Sequence, residues 1–261
     1  MDIILKIESS ALTHIGLVRT SNEDNYYVNG KSKADNTAVA EGYNEDKMRD
    51  SYIYAVCDGI GGESYGELAS MIAVKTLALY QTTDIRHTIT EYIRRANKYI
   101  CDELSKFGDI TSGTTLALLF IKDNKAISYN IGDSRVYFKR KRNLYLLSED
   151  HTEAQHLAKM GMLDENDTSD YKSNNILTQY MGILPEEMII EPYISEEIKL
   201  KKNDLLMICS DGLTSMVTDD EIANIMAQND LPASAIAKEL AATAQEHGGK
   251  DNTTVIVIKV L

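Results

Sequence analysis

The chain has 261 residues, 43% of them hydrophobic, which is enough to build a sizeable core at the upper size of one compact domain. With 27 basic against 40 acidic residues the formal charge is −13, which removes general attraction to phosphate backbones and argues against nucleic acid as a partner. An acidic excess is either a solvated surface or a cluster of carboxylates that needs cations, and composition alone does not separate the two. Cys57, Cys101 and Cys209 are odd in number and widely spaced, which predicts a reducing compartment, the cytoplasm, and no disulfide framework. Residues 1–10 carry Asp2 and Glu8 without a basic leader, and no apolar run approaches the length of a membrane span, so no membrane association is expected.

In chain order, residues 29–50 are polar and glycine-bearing and read as a long loop after the first strand. Residues 51–57 are apolar, aromatic and β-branched and stop at Asp58-Gly59-Ile60-Gly61-Gly62, the pattern of a buried strand ending in a tight turn. Residues 63–80 carry good helix formers, and 85–104 place Ile85, Ile89, Tyr92, Ile93, Ala96, Tyr99, Ile100 and Leu104 on one helical stripe. Residues 115–121, 126–131, 135–139 and 143–147 read as successive strands, with Asp123-Asn124 and Arg140-Lys141 as hairpin tips. Residues 161–175 are again irregular. Residues 204–209 repeat the first pattern and stop at Asp211-Gly212, helices are predicted over 218–228 and 233–246, and a strand over 253–260 starts just after Asp251. Apolar residues on both faces of that last strand predict a sheet covered on both sides.

A single Asp-Gly or Asp-Asn is ordinary turn chemistry. Position changes the reading: Asp58, Asp211 and Asp251 each adjoin the end of a buried strand, where a carboxylate is costly unless something cationic receives it. Three such ends in one core predict a shared cation site, and oxygen-only ligands select Mg²⁺ or Mn²⁺ over Zn²⁺. His14, His87, His151, His156 and His247 show no zinc spacing. Two hard ions side by side suit in-line displacement at phosphorus, and the planar fork of Arg19, in Gly16-Leu17-Val18-Arg19-Thr20-Ser21-Asn22-Glu23-Asp24, suits two phosphate oxygens.

Eight motifs in order then resemble one family, the metal-dependent Ser/Thr protein phosphatases of the PPM or type 2C class, in its compact bacterial form. They are Arg19-x-x-Asn22-Glu23-Asp24, Asp58-Gly59-x-Gly61-Gly62, Ser112-Gly113-Thr114-Thr115-Leu116, Gly132-Asp133-Ser134-Arg135, Asp150-His151-Thr152, Leu177-Thr178-Gln179, Ser210-Asp211-Gly212-Leu213 and Gly249-Lys250-Asp251-Asn252. The resemblance implies an α+β fold, an αββα four-layer sandwich of two antiparallel sheets flanked by helices, as one domain over 1–261 with a flap at about 151–178. It implies Asp58 bridging two Mn²⁺ or Mg²⁺ ions, the Gly59 carbonyl on one and Asp211 and Asp251 on the other. Glu23 and Asp24 would ligate directly or through water, Asp133 with Asp211 would build a third site, and Arg19 would hold the substrate phosphate. Phosphorylated proteins as substrates and a cognate Ser/Thr protein kinase follow from the same resemblance, and a monomer is expected because no heptad or extended apolar stripe marks a dimer interface. The chain departs from the family at Ile60, where many eukaryotic members have a histidine proposed as general acid, and at Gln179, where bacterial members often have arginine.

Two other catalytic classes find no support. A cysteine phosphatase needs Arg six residues after Cys, where this chain has Glu63, Phe107 and Ser215, and Ser134 as an esterase nucleophile lacks a triad histidine with a nearby acid. The remaining alternative is a catalytically inactive phosphoprotein-binding regulatory module of the same fold, against which stands the complete set of acidic positions.

Overall fold

The computed structural model describes residues 5–33, 40–61, 65–81, 84–108, 111–164, 176–228 and 230–261. The N-terminal half contains β1 (Ile7–His14), β2 (Asn25–Val28), β3 (Lys31–Ser32), β4 (Ala40–Glu45), β5 (Ser51–Cys57) and β6 (Gly59–Ile60), then helices α1 (Tyr65–Ala78) and α2 (Ile85–Leu104). A meander follows: β7 (Gly113–Thr114), β8 (Leu116–Lys122), β9 (Lys125–Ile131), β10 (Arg135–Arg140) and β11 (Asn143–Leu146). The remainder is α3 (Glu153–Lys159), β12 (Tyr193–Ile194), β13 (Ile198–Lys199), β14 (Leu205–Cys209), α4 (Asp211–Thr214), α5 (Asp219–Ile225), α6 (Ala233–Glu246) and β15 (Thr253–Val260).

One sheet runs β11-β10-β14-β15-β1-β4 and the other β12-β9-β8-β5-β2-β3, with β13 also on β9; β6 and β7 form a separate pair. The pairings between these strands are antiparallel. Three apolar layers separate four structural layers. Tyr54, Val56, Leu119 and Ile121 of one sheet meet Val136, Ile208, Ile256 and Ile258 of the other. The outer face of the second sheet, with Ala55, Leu118 and Phe120, packs on Ala73 and Leu77 of α1 and on Ile93 and Ile100 of α2. The outer face of the first, with Met207, Val255 and Val257, packs on Ile222 of α5 and on Ile236 and Leu240 of α6. This is the expected αββα sandwich, and β15 is covered on both faces because Val255 and Ile256 serve different layers.

Local chemistry sets the element ends. Asp123 and Asn124 both take left-handed φ (51° and 57°) between Lys122 and Lys125, a two-residue hairpin loop whose twist matches its strands. The tip of the next hairpin falls one residue later than expected, with Lys141 at φ 57°. Thr218 and Glu221 form a capping box at the start of α5, which ends at Ile225, short of the expected 228. Gly248 and Gly249, both at positive φ, end the turn after α6.

The expectation of a long loop over 29–50 requires correction. Residues 40–45 form β4, paired to β1 from Ser9↔Glu45 to His14↔Ala40 at the edge of the first sheet. Its sequence AEGYNE carries no apolar alternation because an edge strand leaves much of its surface in water. Glu45 is itself buried, accepting from Asn29 Nδ2 at 2.6 Å and pairing with Arg49 at 2.5 Å. Residues 34–39, Gly62 and residues 165–175 of the expected flap at about 151–178 lie outside the described residues. The flap region begins with α3, a helix the sequence reading did not anticipate, capped by Thr152, whose Oγ1 accepts the Gln155 N–H at 3.2 Å.

Candidate active site

Acidic side chains reach one edge of the sandwich from several strand ends. Glu23 and Asp24 precede β2, Asp58 follows β5, Asp133 follows β9, Asp211 follows β14 and Asp251 precedes β15. Asp24 is fully buried. Its Oδ2 accepts from Ser210 Oγ at 2.8 Å and from Thr254 Oγ1 at 2.7 Å, while its Oδ1 has no hydrogen-bond partner. Because the Thr254 proton goes to Asp24, Thr13 donates to Thr254 Oγ1 across 2.7 Å, and Asn22 Nδ2 donates to Thr13 Oγ1 at 2.9 Å. A relay of neutral donors therefore points at one carboxylate deep in the edge.

The group is electrostatically strained. Burial pushes Asp24 up to about 6, against the two hydroxyl bonds that favour its charge, and Asp211 and Asp251 add to the rise. Burial, then Asp211 and Asp150, push Asp133 up to about 8. Asp58 is raised well above the usual carboxylate range by burial and by Asp24, Asp211 and Asp133, and it shares a hydrogen bond with Asp211 that favours the proton on Asp58. Burial and then Asp251 raise Asp211, and burial raises Glu23 despite Arg19. Arg19 bonds Asp251, Nη2 to Oδ2 at 2.6 Å, whereas Arg135 is committed to Asp150 through Nε at 3.1 Å and Nη2 at 2.6 Å. Negative charge therefore exceeds the cationic charge delivered by the chain.

The donors fit hard divalent ions: carboxylate oxygens, one of them a buried oxygen without a partner, beside the glycine carbonyl of Gly59. Among the described residues no three His, Cys, Asp or Glu side chains form a closed metal cluster, so backbone oxygen and water must complete any coordination. A cleft of about 840 Å³ opens beside Asp133, Asp211 and Asp251 and extends to Asp150, Thr214 and Lys250; Arg19, Glu23, Asp24 and Asp58 do not line it. It is the surface approach to the Asp133 side of the cluster.

Backbone packing fixes the Asp58 corner. The Asp58 N–H donates to Thr115 Oγ1 at 2.9 Å, and its carbonyl accepts from Thr115 N–H and Thr114 Oγ1, both at 2.9 Å. Gly59 pairs with Thr114, and a side chain at Gly59 would strike the Gly66 backbone of α1. Asn252 joins three segments: its Oδ1 accepts the Glu23 N–H at 2.8 Å, and its Nδ2 donates to Ile15 O at 2.8 Å and Ser21 O at 2.9 Å.

The predicted residues Arg19, Glu23, Asp24, Asp58, Asp133, Asp211 and Asp251 thus share one interacting group at the expected edge. Ser210, Asn252, Thr114 and Thr115 lie within the sequence motifs, but their roles, like those of Thr254 and Thr13, become visible only in the structure. The available signal was hydroxyl residues at strand ends beside the acids, where apolar residues would otherwise continue the core. Ile60 sits in β6 opposite Gly113 and carries no titratable group, and Gln179 turns its Oε1 to the Glu191 N–H at 3.0 Å.

The sequence profile of the family described as protein phosphatase 2C matches residues 24–251. Protein phosphatase PhpP of Streptococcus pneumoniae is 32% identical over 97% of this chain and 98% of its own length. The solved serine/threonine phosphatase of S. agalactiae superposes with a TM-score of 0.83 at 27% identity, over 98% of this chain and 100% of that one. The catalytic domain of the serine/threonine protein phosphatase PstP, solved in complex with two manganese ions, gives 0.77 at 26% identity, over 99% of this chain and 100% of that one. With the acid cluster, the sandwich and the family's motifs coinciding over nearly its whole length, the chain belongs to the protein phosphatase 2C family.

Proposed function

We propose that this chain is a metal-dependent protein-serine/threonine phosphatase that hydrolyses phosphoserine and phosphothreonine monoesters on proteins at the Asp58 edge. The observation that carries the reading is the crowded, mutually repelling carboxylate set around the fully buried Asp24, whose charge the chain's own cations do not balance. Asp58, the Gly59 carbonyl, Asp211 and Asp251 are the oxygens that would hold two Mn²⁺ or Mg²⁺ ions, supported by Glu23 and Asp24, with Asp133 and Asp211 serving a third. Such ions, when bound, neutralise charge on phosphate oxygens and lower the pKa of water in the site.

The chain supplies the rest. Arg19 lies half-exposed with Nη2 on Asp251, an arrangement that orients its planar fork so that other N–H groups can bind phosphate oxygens. Ser210 and Thr254 hold Asp24 in one orientation, and Thr114 and Thr115 hold both sides of the Asp58 peptide, so the donors are set before substrate arrives. Ile60 has no proton to give, so the leaving alkoxide takes its proton from water or from another side chain. The inactive-module alternative is disfavoured because the acid set is complete and the relatives bear phosphatase names.

The buried free thiols Cys57 and Cys209 support a reducing compartment, here the cytoplasm. No described helix is long and apolar enough to cross a membrane. A monomer with one domain over 1–261, acting on phosphoproteins made by a partner Ser/Thr kinase, completes the reading.

Three outcomes are expected. A phosphothreonine peptide is hydrolysed with Mn²⁺ or Mg²⁺, and excess chelator lowers the rate about a thousandfold or more; turnover that persists under chelation sinks the proposal. Arg19→Ala lowers kcat/KM about tenfold to a hundredfold, mainly through KM, and Arg19→Lys recovers part of it, because a charge-assisted hydrogen bond to phosphate is lost; unchanged KM in Arg19→Ala removes its phosphate role. The raised carboxylates bind protons more tightly folded than unfolded, so their contribution is complete below the unfolded carboxylate range and is lost as pH rises through about 6 for Asp24 and about 8 for Asp133. The melting temperature of metal-free protein should accordingly fall between about pH 5 and pH 8, and saturating Mn²⁺ should reduce the fall. A rise over that window without metal contradicts the electrostatic account.

A further inference from the structure

Residues 176–183 form a strap with little regular structure, yet it ties both sides of the acid cluster to α2. At its start, Glu153 N–H donates to Ile176 O at 2.9 Å and Thr178 N–H to His151 O at 2.8 Å. His151 N–H in turn donates to Gly132 O at 2.9 Å, beside Asp133. Further on, Thr114 and Met181 exchange both backbone bonds, at 2.8 and 2.9 Å. Thr114 is the residue that pairs with Gly59 and bonds the Asp58 carbonyl.

The far end of the strap is held by a side chain. Asn97 of α2 accepts the Gly182 N–H on Oδ1 at 2.6 Å and donates Nδ2 to Ile183 O at 2.9 Å. It is 6% exposed, on a helix face otherwise filled by Ile93, Ala96 and Ile100. A carboxamide in an apolar stripe is costly unless both its halves are paired, and here it acts like an added strand, giving one donor and one acceptor to successive backbone groups. The strap has little room to shift. A side chain at Gly113 would strike Met181 O and the Tyr180 ring, and one at Gly182, at φ 129°, would lie 2.5 Å from Ser112 O.

We propose that Asn97 is a positioning residue for the Asp58–Gly59 corner: by fixing Gly182 and Ile183 it holds Met181 against Thr114, and so sets where the Asp58 and Gly59 oxygens lie for a divalent cation. This rests on the reading of the acid cluster as a metal centre. Asn97 is buried and its carboxamide is spent on Gly182 and Ile183, so its loss acts on cation affinity and leaves peptide recognition at saturating metal intact.

The test is calorimetric titration of Mn²⁺ into the full chain, wild type, Asn97→Ala, Asn97→Asp and Ile93→Ala, at a temperature below every melting point. Asn97→Ala should weaken Mn²⁺ binding about tenfold, and Ile93→Ala, which removes core contacts on the same helix face, should stay within about twofold of wild type. The Mn²⁺ needed for half-maximal peptide hydrolysis should rise with the dissociation constant in Asn97→Ala while KM for peptide at saturating Mn²⁺ is unchanged. The near-isosteric Asn97→Asp keeps the acceptor for Gly182, loses the donor to Ile183 and should also bind Mn²⁺ more weakly, which carries the test if Asn97→Ala does not fold. Wild-type affinity in the Asn97 variants, or an equal loss in Ile93→Ala, overturns the positioning role alone. No Mn²⁺ binding by wild type overturns the metal-centre reading and this role with it.

Discussion

Carboxylates at Asp24, Asp58, Asp133, Asp211 and Asp251 stand at or near strand ends, and the sandwich edge desolvates Asp24, Asp58, Asp133 and Asp211 while Asp251 keeps 35% of its side chain exposed. Asp58 directly follows β5 and Asp24 directly precedes β2, while Asp133, Asp211 and Asp251 each stand one residue removed from a strand end, so the charges gather where the core stops. The charges face one another, so burial and mutual repulsion raise Asp24, Asp58, Asp133 and Asp211 above the usual carboxylate range. Arg19 answers Asp251 and Arg135 answers Asp150, which leaves the centre of the group short of positive charge. That imbalance makes the edge a receiver of hard cations, and the chemistry of phosphate transfer follows from what such ions do.

Neutral groups hold the acids in place without cancelling their charge. Ser210, Thr254, Thr13 and Asn22 form a chain of hydrogen bonds that ends on Asp24 Oδ2, and Thr114 and Thr115 grip the Asp58 peptide. Glycine performs the complementary task of close approach: Gly59 against Gly66, and Gly113 against the Tyr180–Met181 strap, bring α1 and the strap against the backbone that carries the acids.

Much of this was legible in the sequence, for identifiable reasons. The α2 stripe is strongly periodic and β15 is continuously apolar over 255–258, so both elements followed from residue pattern, and their burial too except at Tyr99, which the helix turns outward; Asp123-Asn124 announced its hairpin through left-handed propensity. The acids were legible because charge at the end of a buried strand is expensive, and the family resemblance supplied their order. Strand β4 was not, because Ala40–Glu45 lies at a sheet edge and shows polar residues to water. Neither α3 nor the role of Asn97 was legible: α3 is a short polar helix, and a buried asparagine in a helical stripe looks like any tolerated polar residue until its two backbone partners, some 85 residues away, are in view.

On this reading the acid cluster is strained without cations and relieved by them. The most direct measurement is thermal unfolding at neutral pH of wild type and Asp58→Asn, each with chelator and with Mn²⁺. Asparagine removes the cost of holding this carboxyl beside Asp24 and Asp211, so the metal-free variant should melt above metal-free wild type, and Mn²⁺ should stabilise wild type far more than the variant. A metal-free variant that melts below wild type, together with equal stabilisation of both proteins by Mn²⁺, would contradict the account.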